Sequence, residues 1–404
     1  MPPKSVNVAP LAGLRVIDAS RVLAGPYLAM LLGDLGADVI KIERPGEGDP
    51  TRAWGPPFVG SGDARTSAYF VSANRNKRSL ALDLKQAAGR KVWRRLLDGA
   101  DIVVENFLPR DWKSLRLGSS HLTRRYSRII QCTITGYGAS GPQTDRPAYD
   151  LALQAESGLM AITGFSTGEP VRVGVAIVDF LAALYGLNGL LAALYARERT
   201  GRGQRVEVAM ADAATAFLGY AAQSWLTDGS EAARMGSAHP NLVPYRAFAA
   251  SDGWFAVAVG SEAQWRRFCQ AIGDAELAAE PRFKDNAARV LHRMALERRL
   301  AKQFASAPRE DWLVRLLAHR VPAAPVATLD AAMRQAIERG AVQALPAGVY
   351  GVLRSIAPPF LFDGRRPRLE RSAPGLGEHS EAILSESGFS KREIAALLSA
   401  AVIG

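Results

Sequence analysis

Over the first 140 residues, short β-branched runs alternate with helical stretches, the pattern that a parallel sheet with crossover helices imposes on a chain. The spacing predicts strands over Leu14 to Asp18, Asp38 to Glu43, Asp101 to Glu105 and Arg128 to Thr135, with a helix near Gln86 to Leu97. The segment Ser20-Arg21-Val22-Leu23-Ala24-Gly25 leads from the first strand to a helix that ends around Gly33 to Gly36. Its first position is predicted at Pro26, where the missing N–H would be unpaired anyway. The result is a Rossmann-like half-sheet. No GxGxxG follows the first strand, because the turn reads SRVLAGP; a dehydrogenase reading thereby loses its main support. A helix N-terminus beside glycine still suits a phosphate or an adenine, and the plainer alternative is a tight turn.

Beyond the loop carrying Gly136, Gly138, Gly141 and Pro142, helices are predicted over Asp150 to Met160 and about Asp179 to Arg199. In the longer one Phe180, Leu184, Leu187, Leu191 and Leu194 recur at three- and four-residue spacing, which commits one face to a core. The turn Thr200-Gly201-Arg202-Gly203 feeds a strand over Gln204 to Ala209. A hairpin around Asp252-Gly253 and the charged helices after it read as a smaller domain, and a final helix spans Lys391 to Ala401. The fold class expected is α/β. A Rossmann-like large domain takes residues 1–225, a smaller α+β domain residues 226–328, and residues 329–404 return to the large domain.

Composition narrows the function classes. At 404 residues and 48% hydrophobic, the chain can fill a substantial core. Two cysteines, Cys132 and Cys269, support neither a disulfide framework nor a cysteine metal site, and the five histidines show no HExxH, so no metal is expected. The net charge of +11 suits a polyanion, but without a basic tail or an RNP-like motif the expectation is a phosphorylated small molecule and not nucleic acid. The charge-free span Phe180 to Ala196 contains Asn188, Gly186 and Gly189 and reads as a buried core helix, so no membrane association is expected. The opening MPPKSVNVAP has no apolar stretch of a secretory signal, which makes the cytoplasm the expected location.

Several motifs then occur in a recognisable order. They are Arg21-Val-Leu-Ala-Gly-Pro-Tyr27, Gly33-Asp-Leu-Gly-Ala-Asp-Val-Ile-Lys-Ile-Glu-Arg-Pro45, Asn74-Arg-Asn-Lys-Arg-Ser79, Val104-Glu-Asn-Phe107, Ile134-Thr-Gly-Tyr-Gly138, Gly174-Val-Ala-Ile-Val-Asp179 and Thr200-Gly-Arg-Gly-Gln204. In this order and spacing the chain resembles the class III CoA-transferases, the CaiB/BaiF family, from about Leu11 to Gly260, with Gly377-Glu-His379 as a weaker terminal match. Thr51 to Gly60, Gly236-Ser-Ala-His239 and Val243-Pro-Tyr245 most resemble the succinyl-CoA:glutarate branch of that family.

The resemblance implies an intertwined homodimer, coenzyme A or acyl-CoA as substrate with no permanently bound cofactor, and small carboxylic acids as the other partner. It places the catalytic aspartate on Asp179. A carboxylate that attacks a thioester yields a mixed anhydride of comparable reactivity, which is what transfer without hydrolysis needs. Asp179 is expected at the head of the long helix, where the macrodipole would keep it ionised; a plain N-cap is the alternative. The same resemblance points to Val22, Ala24, Arg44, Asn74, Lys77, Asn106 and Phe107 for CoA, with Lys113 a substitute where the pattern departs at Pro109-Arg110-Asp111 and Ser114. Arg52, Tyr149, Arg234 and His239 are the substrate candidates, the cations among them for a distal carboxylate. The family's shielding glycine loop corresponds to Gly260-Ser261-Glu262, where one glycine remains, and amides of the 136–141 loop are candidates for an oxyanion.

Two alternatives stand beside this. An α-methylacyl-CoA racemase shares the fold but carries His-Asp where this chain has Tyr149-Asp150, and tyrosine is a poor base at neutral pH. A non-catalytic CoA-binding module would keep binding after Asp179→Ala.

Overall fold

The computed structural model describes residues 9–117 and 121–404, so the N-terminal run read for a signal lies, through residue 8, outside the described residues. The chain divides into two compact units, the first made of Met1–Leu159, Val173–Thr227 and Ala336–Gly404, the second of Met160–Arg172 and Asp228–Gln335.

The first unit is a six-stranded parallel sheet with helices. Its strands are β1 (Arg15–Asp18), β2 (Asp38–Glu43), β3 (Lys77–Ala81), β4 (Ile102–Glu105), β5 (Ile130–Thr135) and β6 (Arg205–Ala209), in the order β3-β2-β1-β4-β5-β6. The register pairs Val16 with Val39 on one side of β1 and with Ile102 on the other. The order reverses between β1 and β4, and a ligand crevice opens at the carboxyl ends of strands where that happens. Helices α1 (Ala24–Asp34), α2 (Ala87–Asp98), α3 (Asp150–Glu156), α4 (Ile177–Thr200) and α5 (Tyr220–Asp228) also belong to this unit. One apolar core packs Leu28, Leu32, Val16, Ile134, Leu187 and Leu190; a second packs Ile17, Ile40, Trp93, Val103 and Ile383.

Four expectations are corrected. Helix α1 begins at Ala24, so Pro26 is its third residue; any N–H of the first turn lacks an intrahelical partner, and the helix needs none from a proline there. The predicted helix over 150–160 stops at Glu156, since Gly158 takes φ +89° before a separate turn at Leu159–Ile162. Strand β3 was not foreseen because KRSLA reads as a charged surface, yet all five residues are buried. Helix α4 buries only part of the predicted stripe: Leu187 and Leu194 are buried but Leu184 and Leu191 are exposed, while Val178, Ala182, Gly186, Leu190 and Ala193 also face inward. Small residues win that face because the helix lies so close to its neighbours. A Cβ at Gly186 would stand 2.4 Å from Leu28 Cδ1, and one at Gly189 2.6 Å from Val206 Cγ1.

The outer edge of β3 is covered by residues 377–404. Ser79 N–H donates to His379 Nδ1 (3.3 Å), Ala81 N–H to Ser380 Oγ (3.3 Å) and Gly377 N–H to Ser79 Oγ (3.0 Å), and Leu82 bridges to Ile403.

In the second unit a three-stranded antiparallel sheet, β7 (Tyr245–Ala249), β8 (Trp254–Ala258) and β9 (Ala323–Pro325), has β8 in the middle. It packs Phe248 and Phe255 against Phe304, Phe268 and Trp312. Gly260-Ser261-Glu262 enters a helix, with Ser261 Oγ accepting from Gln264 N–H and Glu262 ion-paired to Arg289.

Candidate active site

The turn of residues 20–24 joins β1 to α1 at the switch point, and buried and half-buried side chains from elsewhere in the chain hold much of its backbone. Lys41 Nζ donates to Ser20 O (3.0 Å). Asn106 accepts from Arg21 N–H (3.1 Å) and donates back to Arg21 O (3.0 Å). Val22 N–H donates to Asp49 Oδ2 (3.3 Å), and Ala24 N–H donates to Asp179 Oδ1 (3.2 Å).

Asp179 is the third residue of α4, and the carboxylate of Asp150 caps that helix by accepting from Val178 N–H (2.9 Å). Sequence spacing places Asp150 at the start of its own helix and beside Tyr149 in the racemase comparison, and gives no sign that it caps α4. Burial, with the Asp150 charge added, pushes the Asp179 carboxyl up to about 6, and the single Ala24 N–H opposes this only in part. The helix terminus therefore does not hold Asp179 at ordinary acidity, as the macrodipole argument expected, because burial outweighs it. Above pH 7 the group is still predominantly ionised. Its Oδ1 is tethered, and no hydrogen bond to Oδ2 is made among the described residues. A carboxylate held by one oxygen leaves the other free to attack. Tyr69, whose hydroxyl burial and the charges of Asp179 and Asp150 push up to about 12, stays a neutral phenol there.

Two amides of the 136–141 loop are already engaged: Gly138 N–H is taken by Thr135 Oγ1 (2.9 Å) and Ala139 N–H by Glu207 Oε1 (2.6 Å).

On the other side of the turn a cleft of about 450 Å³ opens at the ends of β1, β2 and β4, lined by Arg21, Arg44, Lys85, Phe107 and Ala401 among others. Arg21 and Arg44 also share a smaller neighbouring recess. Burial and the nearby Arg44 charge lower the Arg21 guanidinium below its ordinary value, as for two cations sharing one site. No acid lies within ion-pair distance of Arg21 among the described residues, whereas Arg44 pairs with Glu47 at 3.2 Å in solvent. Arg21 lies in the first motif, 23 positions from Arg44 in the chain, and that separation conceals the pair from the sequence.

The remaining candidates separate. Phe107 and Arg44 line the cleft, and Val22, Ala24 and Asn106 shape the turn. Lys77 and Asn74 are corrected, because both are fully buried and bonded within the fold, Lys77 with all three of its donors used. The buried Lys77 ammonium donates to Asp18 Oδ2, Pro26 O and Asn74 Oδ1, all at 2.8 Å, and Asn74 Nδ2 donates to Phe70 O. Burial lowers Lys77 to about 8, while Lys77 and Lys41 overcome the burial of Asp18 and hold its carboxyl below the ordinary range. Arg52 is corrected likewise: four of its five N–H donors go to Glu43, Tyr350 Oη and Pro374 O, its charge is paired with Glu43, and it lies 3.7 Å from the centre of the Phe70 ring, so it is committed to the fold and is a poor partner for a substrate carboxylate. Tyr149 stands 64% exposed just before α3, and Lys113 is exposed beyond the cleft lining. Arg234 and His239 fall in the second unit, Arg234 donating to Gly168 O and Glu169 O, and the His239 ring lying 5.3 Å from that of Tyr245 at a tilt of 55°.

A tethered carboxylate beside a nucleotide-sized cleft, on a doubly wound α/β sheet, is an arrangement suited to passing an acyl group through a carboxylate. The chain belongs to CoA-transferase family III, whose profile matches residues 11–380. It is 38% identical over 381 residues to the succinate–glutarate CoA-transferase of Agrobacterium fabrum, covering 93% of this chain and 95% of that protein. It is 37% identical to the human succinyl-CoA:glutarate CoA-transferase, over 98% of this chain and 90% of that one. A CaiB/BaiF family protein from Brucella suis has the same fold, with TM-score 0.83, 38% identity and coverage of 94% and 99%.

Proposed function

We propose that the chain moves coenzyme A from succinyl-CoA to glutarate or a similar dicarboxylic acid through an acyl anhydride on Asp179. The observation that carries this is the single tether on Asp179, with no hydrogen bond to Oδ2 among the described residues and the carboxyl half-buried; the names of the relatives support the substrates. Asp179 Oδ2 attacks the thioester carbonyl carbon, the C–S bond breaks, and CoA leaves as thiolate. The acceptor carboxylate then attacks the aspartyl carbonyl and expels succinate. The thiolate finally attacks the acceptor's acyl carbonyl, forming the new thioester and returning the aspartate. Each step exchanges one activated acyl bond for another of similar energy, so no cofactor is needed.

In this reading Arg21 and Arg44 take CoA phosphates and Phe107 packs beside the adenosine, while the pantetheine arm crosses the 20–24 turn toward Asp179. Guanidinium pairs suit phosphate because charge and a fixed fork coincide. Arg21→Ala and Arg44→Ala are each expected to raise KM for succinyl-CoA about tenfold, with Arg21 the larger effect because its charge is unpaired. Steady-state kinetics with glutarate saturating reads this; an unchanged KM in both removes the phosphate assignment.

Incubating the protein with succinyl-CoA and glutarate and weighing the thioesters tests the main proposal. Glutaryl-CoA from wild type and none from Asp179→Ala is the expected result; transfer by the variant would refute it.

The enzyme is further proposed to be a cytoplasmic homodimer. Helix α4 exposes Leu184, Tyr185, Leu191 and Tyr195, and α5 buries none of its residues while carrying Tyr220, Trp225 and Leu226. So much contiguous apolar surface fits a second copy of this chain.

A further inference from the structure

We propose that Asp49, itself held by Lys41, is a positioning residue that pins the 20–24 turn in the conformation presenting the Ala24 N–H to Asp179. The inference rests on Asp179 being the acyl relay.

Val22 has φ +71°, a left-handed conformation that a β-branched side chain avoids. Such a residue persists only where its surroundings over-determine it. Asp49 supplies that constraint from the loop after β2. It is 2% exposed, and all of its acceptor capacity is directed. Oδ2 accepts from Val22 N–H (3.3 Å) and pairs with Lys41 Nζ (3.0 Å); Oδ1 accepts from Thr51 N–H (3.0 Å) and Thr51 Oγ1 (2.7 Å). Its own N–H is fixed on Glu43 Oε2 (3.0 Å). Lys41 closes the loop, since the ammonium that pairs with Asp49 also donates to Ser20 O on the near side of Val22.

Asn106 clamps the peptide groups of Arg21, so residues 20, 21 and 22 are each tied to a side chain from a different part of the chain. Two residues further on, the Ala24 N–H donates to Asp179 Oδ1 (3.2 Å). If Val22 relaxed to negative φ, the direction of the following peptides would rotate and that donor would leave the carboxylate. Asp179 would then lose the tether that distinguishes Oδ1 from Oδ2. Asp49 touches neither the relay nor the reacting atoms; it acts through the backbone between them.

The test is a double-mutant cycle on kcat between Asp49→Ala and Val22→Gly, with rates referred to folded protein by circular dichroism. Glycine takes positive φ without steric penalty, so it removes the need for a constraint. Asp49→Ala is expected to lower kcat at least about tenfold in the wild-type background and less than about threefold in the Val22→Gly background. A simple loss of folding would not be relieved by a second, flexible residue. Equal losses in both backgrounds, or no loss in the first, would overturn the proposal. Should Asp49→Ala not fold, the isosteric Asp49→Asn, which lacks the second acceptor oxygen, enters the same cycle with the same criteria. Transfer surviving Asp179→Ala would instead sink the relay reading itself.

Discussion

Asp179→Asn is expected to abolish transfer and to make the protein more stable at pH 8. The amide cannot attack a thioester, so kcat falls by at least about 10⁴-fold. The stability gain follows from the raised acidity constant. A carboxyl that titrates at about 6 when folded and at 3.8 when unfolded leaves stability intact below pH 3.8 and removes it as pH rises through 6. At pH 8 the charged aspartate therefore reduces stability by about 3 kcal/mol, an amount that asparagine, still able to accept the Ala24 N–H, does not lose. Thermal melts at pH 8 and pH 4 check this: Tm rises by several degrees in the first and is unchanged in the second. A variant less stable than wild type at pH 8 would mean that the carboxylate is not held against its hydration. The same titration predicts that wild-type kcat/KM falls tenfold per pH unit below about 6.

Lys77→Met is expected to give the largest loss of stability in the chain, about 3–5 kcal/mol, because removing one member of a buried ion pair strands the other. Of its two cations Asp18 would keep only Lys41, 3.9 Å away, while Pro26 O and Asn74 Oδ1 would lose the Lys77 donor. Urea denaturation measures it, with Arg44→Ala as the surface comparison, for which under about 1 kcal/mol is expected. A loss at Lys77 as small as that of Arg44 would show that water reaches the pair.

The parallel sheet was readable because β1, β2, β4, β5 and β6 each carry an apolar run bounded by turn residues, and periodicity reports burial directly. Strand β3 was not, since Lys77 and Arg78 are neutralised by Asp18, Asp38 and Glu386, partners distant in the chain. The same limit governs the site. Asp179 could be placed by motif, but its acidity depends on how deeply α4 is buried and on Asp150, and no local pattern states either. Arg52 and Lys77 illustrate the reverse: a cation in a shared motif looks available until its acceptors are seen. Helix α4 is apolar all round, so its periodicity could not choose between a core face and an outer one; glycine at 186 and 189 decided it by distance of approach.

The strip that seals β3 joins residues about 300 positions apart, His379 and Gly377 bonding to Ser79. During synthesis at roughly 5–20 residues per second, the strand's outer hydrogen-bonding groups thus remain open for tens of seconds after they leave the ribosome. An unsealed parallel edge of this kind invites pairing with another nascent chain, so recombinant yield would depend on growth temperature and chaperone supply more steeply than the finished molecule's stability implies.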